Sequence, residues 1–399
     1  MPFLTLLILC RLFPTPIAPS STPAERFAAV QQHFHQYVDE GLLAGTSILL
    51  SQGDQVFRDV YGVKDLETQQ PIDAATIFRL ASMTKPITSV AVLMLMEQGK
   101  LRLDDPVEKY IPAFRKIKVY ESEHKKVRPE STPTIGQLLS HTGGVSSGLD
   151  ASPAGRLCAE AIAQAEPKNL EELVDVLAHS PLAFQPGKGW AYSYSTDLLA
   201  YIVEQVSGQP IERFFQEQIF EPLGMTQTAF QVSEEDLAHF ATLYGYNEQG
   251  QLKVIDQPQH SPYTDGRYFP RGNGGLTSTI GDYQRFAQML ANAGELNGRR
   301  LLQAETVRLM RQNHLPTELL PIRINGPPMP GWGFGLGVGV LTDASPIGHP
   351  GEYFWPGAAF TYFFINPKTR AVGIFMTQLS DLSKMNILFE FHQLAGAVF

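Results

Sequence analysis

The stretch Phe78-Arg79-Leu80-Ala81-Ser82-Met83-Thr84-Lys85-Pro86-Ile87-Thr88-Ser89-Val90-Ala91-Val92-Leu93 decides how this chain folds. Residues 82–98 read as a helix that is apolar nearly all round and stops at Gly99. Such a helix is buried on every side, so it belongs to the middle of the molecule. Ser82 and Lys85 stand three residues apart, on one helix face. The helix N-terminus offers free N–H groups and the positive end of the dipole, which favour an oxygen anion. A lysine walled in by apolar side chains loses basicity and can act as a proton acceptor. Pro86 falls in the first turn, where its missing N–H costs nothing. The bland alternative is that Ser82 only caps the helix and Lys85 is incidental.

Outward from this helix the periodicity changes. Residues 24–40 read as an amphipathic helix, and 46–51 and 55–61 as two strands joined at Gly53-Asp54. Residues 168–180, 195–207, 210–219, 280–293 and 303–312 read as helices. Residues 333–341, 360–366 and 371–378 read as strands, and 383–397 as a last helix. Strands at both chain ends and helices between them predict an α+β fold, an α/β sandwich. Its antiparallel sheet comes from N- and C-terminal segments flanked by helices, with a mainly helical region inserted. The expected division is 1–23 as an extension, 24–80 with 271–399 as the sheet domain, and 81–270 as the helical domain. The site then falls at their junction.

The chain's 399 residues match two or three nominal domains of ~150 residues. Apolar residues make up 43% and charged residues 18%, ample for a packed core. Forty acidic against 31 basic residues give a net charge of −9, which argues against a nucleic-acid partner. Two cysteines, Cys10 and Cys158, cannot build a disulfide framework, a Cys₄ zinc site or an iron–sulfur cluster. The histidines show no paired metal-ligand spacing, so no metal and no cofactor are expected. No stretch approaches a membrane span. The N-terminus holds an apolar run at residues 3–9 and a Pro/Ser/Thr-rich stretch at 14–23. It is either a plain extension or a secretory signal. The absence of Lys or Arg before the run tilts towards a cytoplasmic protein; a working signal would make it periplasmic or secreted. Nothing in the sequence sets an oligomeric state.

Two other serines compete with Ser82. Ser122-Glu123-His124-Lys125 repeats the S-x-x-K spacing but sits in a charged run, 120–130, that reads as a solvated loop. Gly144-Val145-Ser146-Ser147-Gly148 fits the G-x-S-x-G elbow, which needs a strand before it and a helix after it. Here a helix end precedes it and Asp150-Ala151-Ser152-Pro153 reads as loop, so Ser146 is a decoy. Two further segments could complete a site around Ser82. One is Gly187-Lys188-Gly189-Trp190-Ala191-Tyr192-Ser193-Tyr194, a turn leading into a helix. The other is Phe354-Trp355-Pro356-Gly357-Ala358-Ala359, a turn that could present N–H groups at a sheet edge.

Ser82-Met83-Thr84-Lys85, the motif at Tyr192 and the box at Trp355 occur in the order seen in the serine β-lactamase and penicillin-binding-protein superfamily, and the chain resembles it over residues 25–395. Leu138-Leu139-Ser140-His141-Thr142-Gly143-Gly144, Phe220-Glu221-Pro222-Leu223-Gly224-Met225 and Gly274-Gly275-Leu276-Thr277-Ser278-Thr279 look like its class C branch. The stretch 355–378 resembles the family VIII carboxylesterases, which carry Trp-Gly-Gly where β-lactamases carry Lys-Thr-Gly. His349-Pro350-Gly351 is the alternative position for that box; the spacing to Asn366-Pro367 favours Trp355.

The resemblance implies that Ser82 is the acylated nucleophile. Lys85 and Tyr192 would share the general-base task, with Tyr192 as a phenolate held by Lys85. The N–H groups of Ser82 and Ala358 would form the oxyanion hole, and Tyr194, Trp355 and Gly357 would line the substrate. Tyr194 stands where β-lactamases have Asn, and Pro356 replaces the middle glycine. Trp355 in place of lysine removes a cation for a substrate carboxylate, which favours small neutral esters. The aromatic residues Trp190, Tyr192, Tyr194, Tyr353, Phe354 and Trp355 suggest an apolar acyl or alcohol pocket. The implied activity is hydrolysis of short- to medium-chain carboxylic esters, with acyl transfer to alcohols. The alternatives are a class C-like β-lactamase, a D-amino-acid-specific peptidase, or an inactive binding protein on the same scaffold.

Overall fold

The computed structural model describes residues 21–148, 152–324, 326–343 and 345–399. The apolar run at 3–9, Cys10 and Asp150-Ala151 lie outside them. Thr22 opens the first helix, α1 (Pro23–Asp39), through a capping box: its side chain accepts the Glu25 N–H, and the Glu25 carboxylate accepts the Thr22 N–H. The chain then enters β1 (Gly45–Gln52), turns at Gly53 with φ +57°, and returns as β2 (Gln55–Asp65) and the short β3 (Gln70–Pro71). The rest of the sheet comes from the other end of the sequence: β4 (Trp332–Phe334), β5 (Gly339–Leu341), β6 (Tyr353–Gly357), β7 (Thr361–Asn366) and β8 (Ala371–Met376). The order is β4-β5-β6-β7-β8-β1-β2-β3, antiparallel throughout. The α+β sandwich with an antiparallel sheet from both chain ends is the observed fold.

Strand alternation assigns each face its partner. Tyr362 and Phe375 are opposite each other in β7 and β8, and both meet α7 (Asn386–Gly396) through Phe391. Phe375 also meets Phe34 of α1. Phe363, one residue on, points the other way and packs on Tyr283 of α6 (Ile280–Ala291). Both faces are covered, which is why β1, β7 and β8 are buried almost end to end. In sequence, the helices α2 (Thr84–Glu97), α3 (Pro153–Ala165), α4 (Leu170–His179) and α5 (Ser195–Ser207) fall between the two chain segments that supply the sheet. Helix α2 is buried from Thr84 through Leu95 and packs along α5. No helix among the described residues is long and apolar enough to cross a membrane.

Several local expectations change. Residues 333–341 form two strands, because Gly337 at φ +85° folds them into a hairpin. Residues 353–357 form an interior strand rather than a turn. Pro356 hid it, since proline seldom sits inside a sheet. Here β5 pairs only with Tyr353 and Phe354, so the half of β6 that holds Pro356 has one open side. The charged run at 120–130 carries a hairpin, Val119–Ser122 with Lys125–Val127, whose tip is exposed. Ser152 and Pro153, read as loop, cap and open α3. The helix expected at 210–219 is α-helical only over Ile211–Phe215 and continues as a π-turn over Gln216–Phe220.

Candidate active site

Ser82 sits on a tight 3₁₀ turn, Ala81–Met83, directly ahead of α2, rather than within the α-helix itself. Ala81 makes the turn at φ +46°, a left-handed conformation that strains a residue with a Cβ. The surroundings hold it there. Phe78 and Arg79 pair with Ser278 and Thr277. The Leu80 N–H donates to the Leu276 carbonyl at 2.9 Å, and the Leu80 carbonyl accepts from the Thr361 hydroxyl at 3.0 Å. The Met83 carbonyl accepts from the Tyr283 hydroxyl at 3.1 Å. The end of β6 lies directly on the turn. A Cβ at Gly357 would come within 2.2 Å of the Leu80 carbonyl oxygen, so only glycine permits that approach. Ala358 follows it at an exposed position.

Lys85 Nζ lies 3.1 Å from Ser82 Oγ and donates to the Asn273 carbonyl at 2.7 Å. It is almost wholly buried, and burial pushes its amine well below the usual range. The Asp197 carboxylate pulls it back up, and the Arg271 guanidinium pushes it down. Tyr192 approaches from the loop before α5. Its ring centroid is 4.4 Å from Lys85 Nζ, and it lines the same cavity as Ser82. Burial raises the Tyr192 phenol far above its ordinary value. Burial thus favours the neutral amine and the neutral phenol, and the phenolate expected for Tyr192 is disfavoured by its dry surroundings. His141 closes the back of the site with its ring 5.1 Å from that of Tyr192, and its Nδ1 is 3.0 Å from Ser193 Oγ. Burial, with the nearby Lys85, holds His141 well below its usual basicity.

The alternation of β6 delivers Trp355. It is opposite Phe363, so it points to the α6 side of the sheet, whereas Phe354 turns to His392 of α7. The indole Nε1–H of Trp355 donates to the Tyr192 hydroxyl at 3.2 Å. His349 and Gly351, the alternative position, lie in the turn before β6, where the His349 N–H is bound to the Glu352 carboxylate at 3.0 Å.

A cavity of about 220 Å³ opens over Ser82 and Lys85. Tyr192, Ser193 and Tyr194 line it together with Ser147, Tyr263, Tyr268, Arg271, Asn273, Gly274 and Gly275. Of the residues expected to line the substrate, Tyr194 is in its wall and Trp355 and Gly357 are not; nor are Trp190, which packs on His141, Tyr353, which is buried, and Phe354, which faces α7. The pocket wall is thus tyrosine-rich, with polar groups set among a larger apolar surface, and its aromatic residues are mostly other than those expected. It also contains a cation, Arg271, although Asp197 neutralises it at 2.8 Å. Tyr263, Tyr268, Arg271 and Asn273 escaped the sequence reading. They lie in a polar loop without periodicity; only the double glycine at Gly274-Gly275 marked the spot. Ser146 is buried and accepts from the Gly148 N–H at 3.2 Å, while Ser147 reaches the cavity wall.

With this geometry in place, comparison with known proteins is decisive. The beta-lactamase family model matches residues 30–396, from α1 to α7. The chain belongs to the beta-lactamase family. Within it, the chain is similar to Protein Rv1367c of Mycobacterium tuberculosis, 33% identical over 369 residues, covering 88% of this chain and 90% of that one. It is 30% identical over 391 residues to Esterase EstB of Burkholderia gladioli, covering 92% and 93%. Among solved structures, EstCE1, titled a hydrolase with promiscuous acyltransferase activity, superposes with a TM-score of 0.78 at 28% identity, over 94% of this chain and 98% of that one. This beta-lactamase family member therefore shares its architecture with EstCE1 over nearly the full length of the two chains.

Proposed function

We propose that this protein is a serine carboxylesterase that works through an acyl-enzyme on Ser82 and also passes the acyl group to alcohols. The observation that carries the reading is the Lys85 amine 3.1 Å from the Ser82 hydroxyl, with the Tyr192 phenol in the same cavity and the Trp355 indole donating to it where a lysine would make a β-lactam site. The full-length likeness to EstB and EstCE1 supports it.

In this mechanism the neutral Lys85 takes the Ser82 proton as Oγ attacks the ester carbonyl. The N–H groups of Ser82 and Ala358 receive the developing oxyanion. Tyr192 gives its proton to the leaving alkoxide and is left as a phenolate beside the new Lys85 ammonium. Water, or an alcohol, then attacks the acyl-enzyme and yields its proton to Tyr192. Ser82 departs and recovers its proton from Lys85. Acyl groups are held against Tyr194 in the cavity over Ser82, and the small cavity favours short chains. Such general acid–base help contributes about 10²–10⁴-fold. Steady-state turnover of p-nitrophenyl acetate and butyrate beside nitrocefin tests the reading. Ester turnover should dominate; strong nitrocefin hydrolysis with negligible ester hydrolysis overturns it.

A further inference from the structure

Lys85 faces more charge than its own helix provides. Its Nζ donates to the Asn273 carbonyl at 2.7 Å. The Asn273 N–H donates to Asp197 Oδ1 at 2.8 Å. Arg271 grips the same carboxylate with two bonds, Nε to Oδ1 at 3.2 Å and Nη2 to Oδ2 at 2.8 Å. Asp197 is fully buried in the first turn of α5. Gly272, between the two partners, packs so closely on α5 that a Cβ would lie 2.2 Å from the Thr196 carbonyl oxygen. The segment 271–273 is thus fastened to α5 by the fork of Arg271 and by backbone contact, and its carbonyl end is fastened to Lys85.

We propose that Asp197 and Arg271 are positioning residues for Lys85: together they place the Asn273 carbonyl that aims Nζ at Ser82, and as a neutral pair they keep the Lys85 amine free to accept a proton. This rests on the reading of Lys85 as the proton acceptor. Arg271 is the right residue because a bidentate fork fixes a carboxylate in one orientation, which a lysine cannot do. The charges also have to balance. Alone, the Asp197 carboxylate would hold Lys85 as an ammonium, and Arg271 alone would repel it. The other groups around Lys85 are the Ser82 hydroxyl, the Tyr192 phenol, the Trp355 indole beyond it, His141, which burial keeps below its usual basicity, and across the cavity the Tyr194, Tyr263 and Tyr268 phenols, which burial holds protonated.

The test is the acidic limb of the kcat/KM profile for p-nitrophenyl butyrate, normalised to the sites titrated by a fluorophosphonate. Arg271→Gln leaves Asp197 unopposed, so the limb should move up by about one pH unit or more. Asp197→Asn leaves Arg271 unopposed, so the limb should move down. Arg271→Lys keeps the charge but not the fork: the limb should stay, while kcat falls at least tenfold. A merely structural pair would lower the titrated fraction and leave all limbs where they were; that result, or shifts in one common direction, overturns the proposal. If the wild-type protein is not labelled at Ser82, the esterase reading itself has failed. If it is labelled and the limbs do not move, only the role of Asp197 and Arg271 has.

Discussion

The Trp355 indole donates its Nε1–H to the Tyr192 hydroxyl at 3.2 Å, joining the sheet to the helical side of the site through one hydrogen bond. As a donor the indole occupies one lone pair of that oxygen, and so limits the directions in which the phenol proton can point. Trp355→Phe keeps an aromatic ring and removes the donor. A hydrogen bond of about 1 kcal/mol net corresponds to roughly fivefold in kcat/KM. Turnover of p-nitrophenyl butyrate should fall by that order; unchanged turnover would mean the bond is idle.

Tyr192→Phe should separate substrates by their leaving groups. An alkyl alcohol needs the phenol proton as it departs, so hydrolysis of ethyl butyrate should fall by at least about 10². Nitrophenolate leaves without protonation, so kcat/KM for p-nitrophenyl butyrate, which reports acylation and not the shared deacylation step, should lose much less. Equal losses for the two esters would remove Tyr192 from the proton-donor role.

Much of the fold was legible in the sequence, because the β1–β2 hairpin, the all-apolar α2 and the C-terminal strands carry strong periodicity. The Ser82–Lys85 spacing was legible for the same reason, since three residues is one helical turn. Strand β6 was not, because Pro356 reads as a breaker unless the open side of the strand is known. The Asp197–Arg271–Asn273 chain was invisible. Asp197 looks like an ordinary acidic residue in a first helical turn, and its partners are 74 and 76 positions away. The strain at Ala81 also has no sequence signature, since alanine ordinarily avoids positive φ.

That strain makes a stability prediction. Ala81→Gly relieves the left-handed conformation at φ +46° and should stabilise the protein by about 1 kcal/mol, raising Tm by about 2 °C. A thermal melt showing no rise, or a fall, would contradict the strain.

A second buried chain predicts acid sensitivity. Glu352 accepts from His392 Nε2 at 2.9 Å, and Tyr362 donates to His392 Nδ1 at 2.8 Å. Burial pushes His392 below its usual 6.5. Burial alone would raise Glu352, but hydrogen bonds from His392, the His349 N–H and Asn366 bring its carboxyl below the usual 4.5. Both groups bind protons more weakly folded than unfolded, so their contribution is full above about pH 6.5 and is lost on acidification. His141, also held neutral, adds to the same trend. Tm should fall between pH 7.5 and 5 and fall further below 4.5. His392→Gln should be less stable at pH 7.5 but show a shallower slope between pH 7 and 5; an unchanged slope would exclude His392 as a source.

Labelling with a fluorophosphonate, followed by peptide mass mapping, tests the central claim most directly. The expected result is one adduct on Ser82, abolished in Ser82→Ala and retained in Ser146→Ala. An adduct on Ser146 or Ser147, or full ester turnover by Ser82→Ala, would contradict it.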